Sequence, residues 1–232
     1  MAMRLDKYLS HLQIGSRKDI KLMVKQKRLQ VDGEIVTDAG MAIAEPARIT
    51  LDGQIIDGAL EVYYLMNKPA GVLTATTDAH QQTVLDLIAL ADRRPNLAPV
   101  GRLDKDTTGL LLLTTDGAMG HRLLAPKNHV PKVYHVRLRQ PLTDAAIAQL
   151  ETGIAFKDFT SAPAQVTRLE PTEVLITIHE GKFHQVKRMF LAVDNEVLTL
   201  QRQQMGPLKL DPNLALGAYR ALTAAELSAL QR

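Results

Sequence analysis

Arg102, Asp104, Lys105, Asp106, Thr107 and Thr108 crowd into one short stretch framed by Gly101 and Gly109. Apolar runs at 97–100 and 110–114 flank them and read as strands. The polar cluster therefore belongs on a loop at a sheet edge, where rigid strands can hold catalytic groups. A carboxylate there could serve as a nucleophile or as a base. Asp, Thr and Gly are also ordinary turn formers, so the residue types alone leave a plain turn as the simpler reading, with Asp104 and Asp106 both open as candidates. Other chemistries find less support. The chain has no cysteine, which removes thiolate nucleophiles, disulfides and cysteine-based zinc sites together. His121, His129, His179 and His184 are scattered without metal-ligand spacing, so no metal site is expected. There is no Walker A loop and no dinucleotide fingerprint.

The elements that must position this loop follow from periodicity. A chain of 232 residues, 46% of them hydrophobic, can build a core plus a small appendage. No apolar run approaches the length of a membrane span, no secretory signal follows the start, and a cytoplasmic setting is expected. Met3-Arg4-Leu5 reads like a natural start, with Met1 and Ala2 as a short extension. Leu5, Tyr8, Leu9 and Leu12 predict an amphipathic helix. Ser16 caps a second helix with Asp19 at its third position, and Lys18, Lys21, Lys25 and Arg28 share one face of it. Strands follow around the turn Asp32-Gly33. Asp52-Gly53 and Asp57-Gly58 mark a boundary near 58–61, which separates a domain at 1–58 from one at 61–232. Beyond it, strands are expected at 62–66, 132–139 and 174–178, and helices at 83–90, 142–150, 183–193 and 223–230. Without regular strand–helix alternation this is an α+β pattern, a mixed, mainly antiparallel sheet with flanking helices. Net charge is only +3, yet residues 1–30 hold eight Lys/Arg against Asp6 and Asp19, whereas 31–60 hold Arg48 against six acids. That asymmetry suits a polyanion docked at the amino-terminal end, although a solvated helix face would look the same.

Ser16-Arg17 and then Val31-Asp32-Gly33, after a basic helix, resemble the S4 RNA-binding module. The resemblance implies that Arg4, Lys7, Arg17, Lys18, Lys21 and Lys25 face RNA. One departure is Lys27, where the module usually has Gly or Asn. A left-handed Lys costs about 1 kcal/mol, so the turn is expected to differ locally.

The polar loop carries a second resemblance. Gly101-Arg102-Leu103-Asp104, followed by Thr107-Thr108-Gly109-Leu110, resembles the active-site motif of the RsuA-type pseudouridine synthases. Asn67-Lys68-Pro69-Ala70-Gly71, Lys132-Val133-Tyr134 and Glu180-Gly181-Lys182-Phe183-His184-Gln185-Val186-Lys187-Arg188-Met189 match further family motifs in the same order. The resemblance implies that Asp104 is the catalytic carboxylate, that Lys187 is the cation beside it, and that Tyr134 lies against the target base. Arg102, with Thr107 and Thr108, would contact the extruded nucleotide. Asp106 falls at a variable position and reads as a solvated turn acid. The implied reaction isomerises a uridine of 16S (small-subunit) ribosomal RNA in an assembling particle, by a monomer, without metal or cofactor. The Asp-x-Asp-Thr-Thr stretch and the absence of a basic carboxyl-terminal tail lean to the small-subunit RNA over the large. A non-catalytic RNA-binding relative is the alternative from another class, and the intact Asp104, Tyr134 and Lys187 speak against it. Asp194-Asn195 stands where the family usually has Gly-Asn, so the helix before it must be capped by Asp or Asn.

Overall fold

The computed structural model describes residues 3–43, 47–56, 58–125 and 128–231. Two compact units emerge: Met1–Val62 with Ile88–Leu97, and Tyr63–Leu87 with Ala98–Arg232. The first unit's continuous part ends at Val62, and Ile88–Leu97 groups with it. Asp57, one of the boundary markers, lies outside the described residues.

In the first unit, β1 (Met3–Arg4) leads into α1 (Leu5–His11) and then α2 (Arg17–Lys25). Leu5, Leu9 and Leu12 are buried, as their spacing requires. A capping box starts α2: the Ser16 hydroxyl accepts from the Asp19 amide at 3.2 Å, and Asp19 Oδ2 accepts from the Ser16 amide at 2.9 Å. Ile20 and Val24 face the core, which leaves Lys18, Lys21 and Lys25 exposed on the other side. Lys27 does adopt the left-handed conformation, at φ 59°, in place of the expected local change. The Arg28 amide donates to Met23 O and the Lys27 amide to Val24 O, a Schellman pattern whose two bonds offset the strain. Strands β2 (Leu29–Val31), β3 (Glu34–Ile35), β5 (Ile49–Leu51) and β6 (Gln54–Ile56) form an antiparallel sheet in the order β3-β2-β5-β6, while β4 (Ala42–Ile43) pairs with β1.

The second unit is a mixed sheet with helices, so the α+β reading holds. Its strands are β7 (Tyr63–Lys68), β8 (Ala98–Pro99), β9 (Thr108–Thr114), β10 (Lys132–Leu138), β11 (Gln165–Glu170), β12 (Glu173–Ile178), β13 (Val197–Met205), β14 (Leu208–Lys209) and β15 (Tyr219–Ala221). The order is β11-β12-β10-β13-β9-β7-β15, with β14 on β13 and β8 on β9. Among the described strands of this sheet, β13 and β9 form the one parallel pair. There Gly109 (φ 100°) lies so close to Arg202 that a Cβ would sit 2.4 Å from the Arg202 carbonyl oxygen, and only glycine fits. The helices are α3 (Gly117–Leu124), α4 (Asp144–Thr152), α5 (Gln185–Leu191) and α6 (Ala224–Gln231), none long and apolar enough to cross a membrane. Leu65, Val100, Leu110, Leu112, Met119 and Leu123 join Met205, Leu208 and Leu230 in one apolar cluster.

Three expectations need correction. Residues 83–90 form no α-helix but 3-10 turns at Val84–Leu87 and Leu90–Asp92, since Leu73 and Thr83 are bridged and the Val84 amide is taken by Leu73 O. The helix expected at 183–193 starts only at Gln185, because His184 turns left-handed at φ 49°. It ends on Asp194 at φ 56°, where the Asn195 amide donates to Phe190 O and the Asp194 amide to Leu191 O; the acid takes the glycine's place as foreseen. The strand expected at 97–100 shrinks to β8.

Candidate active site

The loop at 101–107 precedes β9, and the segment after β7 buttresses it from behind. Thr74 exchanges hydrogen bonds with Leu103: its hydroxyl donates to Leu103 O at 2.8 Å and accepts from the Leu103 amide at 3.2 Å. The Gly71 amide donates to Lys105 O at 2.7 Å. Lys68 makes the largest contribution. Its side chain has no exposed surface, and Nζ donates to the carbonyls of Pro69, Asp104, Lys105 and Thr107 at 3.0–3.3 Å. A single buried cation thus gathers the backbone on both sides of Asp104. Burial lowers its pKa from 10.5 to about 8, against the nearby charges of Asp106 and Asp104, which raise it.

Asp104 is half-buried at the loop's tip. Lys187 Nζ, from α5, lies 3.2 Å from Asp104 Oδ2, and His184 Nε2 lies 3.6 Å from Asp104 Oδ1. Val186, Met189 and Phe190 anchor that helix in the core, so Lys187 projects from its flank toward the loop. Lys187 is not Asp104's alone: its Nζ donates to Asp106 Oδ1 at 2.5 Å. Asp106 is exposed, as a turn acid should be, but it is also paired. Its pKa is lowered, first by the hydrogen bond from Lys187, against partial desolvation.

Asp104 and His184 border a cleft of about 730 Å³ whose lining also includes Arg102, Thr107, Tyr134, Val186 and Arg202; Lys187 touches it through Asp104. Tyr134 is 7% exposed, on the buried face of β10 with Lys132 and Val136. It is therefore both a core residue and a wall of the cleft. Arg202, on β13, is the register partner of Tyr134 on one side and of Gly109 on the other. It is 2% exposed, and its Nε donates to Leu110 O at 2.7 Å. Its Nη2, like the Thr107 hydroxyl, has no hydrogen-bond partner among the described residues. Lys132 is also buried; its pKa is lowered by burial and then by the charge of Arg202.

The structure thus brings Asp104, Tyr134, Arg102 and Thr107 to one cleft, with Arg102 exposed and Thr107 buried, and sets Lys187 against Asp104. Thr108 sits at the start of β9, its hydroxyl 3.5 Å from Leu200 O. In the first unit Lys7, Arg17, Lys18, Lys21 and Lys25 are exposed. Arg4 is committed to the buried Asp6 at 2.8 Å, and Arg28 to Asp52 at 2.6 Å, so neither is a free member of the basic surface. Sequence reasoning missed three groups. Lys68 was visible only as part of a motif, His184 gave no spacing signal, and Arg202 sits in a polar run that did not read as a strand.

The chain is similar to known proteins over nearly its whole length. The description "RNA pseudouridylate synthase" matches residues 62–192, and the S4 domain matches residues 3–45. An RNA pseudouridine synthase of Bacillus subtilis is 45% identical over 98% of both chains. The ribosomal small subunit pseudouridine synthase A of Pseudomonas aeruginosa is 40% identical over 97% of this chain and 99% of its own. A crystal structure of a pseudouridylate synthase superposes with a TM-score of 0.68 at 34% identity, covering 98% of this chain and 99% of the other. An S4 domain ahead of a synthase domain, matched over nearly the whole length, places the chain in the RsuA-type family of RNA pseudouridine synthases.

Proposed function

We propose that this enzyme converts one uridine of small-subunit ribosomal RNA to pseudouridine, with Asp104 as the catalytic carboxylate. The observation that carries the reading is the ion pair of Asp104 with Lys187 at a cleft walled by Tyr134. The reaction must break the bond from N1 of uracil to C1′, turn the base, and form the bond from C5 to C1′. Asp104 can attack C1′, to be displaced when C5 bonds there, or remove the proton at C2′ and later return it; in either role its carboxylate faces the Lys187 ammonium at 3.2 Å. After the new bond forms, the proton on C5 must leave and N1 must gain one, so the isomerisation is balanced without an oxidant or a metal. The ring of Tyr134 offers a flat apolar face to the detached uracil. The nucleotide must leave its stack to reach Asp104, and Arg102 at the cleft's exposed edge suits a phosphate of the extruded strand. Docking falls to the amino-terminal domain, taken as residues 1–58, with chemistry in 61–232. The names of the relatives favour the small-subunit RNA, and we take the substrate to be an assembling particle in the cytoplasm, met by a monomer.

The test is a pseudouridine map of both ribosomal RNAs in a strain lacking the gene, complemented with the wild type or with Asp104→Asn. One small-subunit position should lose its pseudouridine and regain it only with the wild type. A loss confined to the large-subunit RNA would overturn the substrate, and an unchanged map would overturn the activity.

A further inference from the structure

Of the nine Phe and Tyr side chains, all within the described residues, Phe183 alone is exposed; the other eight are buried or half-buried. At 75% exposure it is also a large apolar group left in water at the rim of the cleft. Its orientation is fixed. The ring lies flat on the His184 imidazole, with centroids 3.8 Å apart and planes at 16°. Side chains of consecutive residues normally diverge, and here the left-handed backbone of His184 brings them together. Since the imidazole covers one face and the ring remains three-quarters exposed, its other face is open to solvent.

The loop beneath is held as firmly as the ring. Gln185 is 3% exposed; its Oε1 accepts from the Lys182 amide at 2.9 Å, its Nε2 donates to Glu180 Oε1 at 2.6 Å, and its own amide donates to Lys182 O at 3.1 Å. A flat apolar face on a rigid loop is pre-organised for a flat ligand. Two more features identify that ligand. The covered side of the stack leads to the reacting carboxylate, because His184 Nε2 is 3.6 Å from Asp104 Oδ1. Exposed cations are at hand as well: Arg102 lines the same cleft, and Lys182 precedes the ring in sequence, its ammonium 6.0 Å from the Phe159 ring.

We propose that Phe183 is a stacking platform for a nucleobase next to the target uridine, holding the strand while the uridine occupies the cleft. Any base offers a π-face, so the platform tolerates sequence and fixes the path of the strand. The proposal rests on the reading of the cleft as a uridine site, but its readout is binding.

The probe is a transcript fragment around the mapped uridine, with 2-aminopurine placed in turn at each flanking position. Wild-type protein should quench the emission at one flanking position and not at the others. Phe183→Ala should abolish that quenching and weaken binding about tenfold, within the range that base–aromatic stacking supplies. Phe183→Trp should restore both. If no position differs between wild type and Phe183→Ala, or if Trp fails to restore what Ala loses, the platform is wrong. An unaltered RNA affinity combined with loss of self-association in Phe183→Ala would assign the ring to a second copy of the chain and overturn it too. Quenching without conversion would sink the proposed reaction alone; conversion without Phe183-dependent quenching would sink the platform alone.

Discussion

Replacing Lys68 with Met keeps the length of the side chain and removes its charge and its donors. Four carbonyls lose the ammonium, but Asp104 O still accepts from the Thr107 amide at 3.1 Å and Lys105 O from the Gly71 amide at 2.7 Å. The net loss falls mainly on Pro69 and Thr107, and at about 1.5–3 kcal/mol for a hydrogen bond to a charged group it comes to about 3–6 kcal/mol. Against it stands relief of burial: a fall in pKa from 10.5 to about 8 corresponds to about 3 kcal/mol. Lys68→Met should therefore lower global stability by only about 0–3 kcal/mol, read from urea midpoints. Turnover should fall far more, by about 100-fold, because the backbone of Asp104 loses its anchor and a displacement of about 1 Å is enough for that.

The pH dependence adds an independent check. The folded-state pKa of Lys68 lies below its unfolded value, so the unfolded chain binds more protons between about pH 8 and 10.5. The burial penalty is full below pH 8 and fades as pH rises through that window, so this group makes the fold more stable in alkali. Activity should move the other way, since a neutral amine has one donor fewer for the loop. Single-turnover rates of the wild type should thus drop above pH 8, and Lys68→Met should lack that limb. A Lys68→Met enzyme as fast as the wild type, or one with the same alkaline limb, would refute the reasoning.

Asp104→Asn should reduce pseudouridine formation by about 10³-fold or more while filter-binding affinity for RNA persists; an active Asn variant would unseat Asp104. Lys187→Met should cut single-turnover rates strongly and Lys187→Arg should keep a good part of them, whereas Asp106→Asn should cost less than about tenfold, because Lys187 retains Asp104 at 3.2 Å. An inactive Asp106→Asn beside an active Asp104→Asn would exchange their roles. Tyr134→Ala should slow turnover at least as much as Tyr134→Phe, with urea midpoints taken in parallel because a buried ring lost to Ala costs about 3–5 kcal/mol; normal rates for both would leave Tyr134 a core residue only. Changing Lys18, Lys21 and Lys25 to Ala should weaken RNA binding and flatten its salt dependence by about 0.7–0.9 log units per lost phosphate contact. An unchanged slope would return that face to plain solvation.

Local rules on the sequence determined a good deal. The spacing of Leu5, Leu9 and Leu12, the Ser16–Asp19 capping box, the buried alternation of Tyr134, Val136 and Leu138, and the Thr143 cap of α4 all depend on neighbours a few residues away. Motif order singled out Asp104, Tyr134 and Lys187; the structure sets the first two on one cleft and Lys187 against Asp104. What the sequence left dark is non-local. Val197–Met205 is broken by the polar run Gln201-Arg202-Gln203-Gln204, yet it is the strand between β10 and β9, a place set by pairing with residues about 60–70 and about 90 positions away. Arg202, Lys68 and His184 acquire their roles from that pairing and from loop packing, which alone decide that one lysine is buried under the carboxylate while another reaches it from the flank. The sharing of Lys187 between Asp104 and Asp106 is decided in the same way, by the angle at which α5 meets a loop 81 residues earlier, a relation that no periodicity encodes.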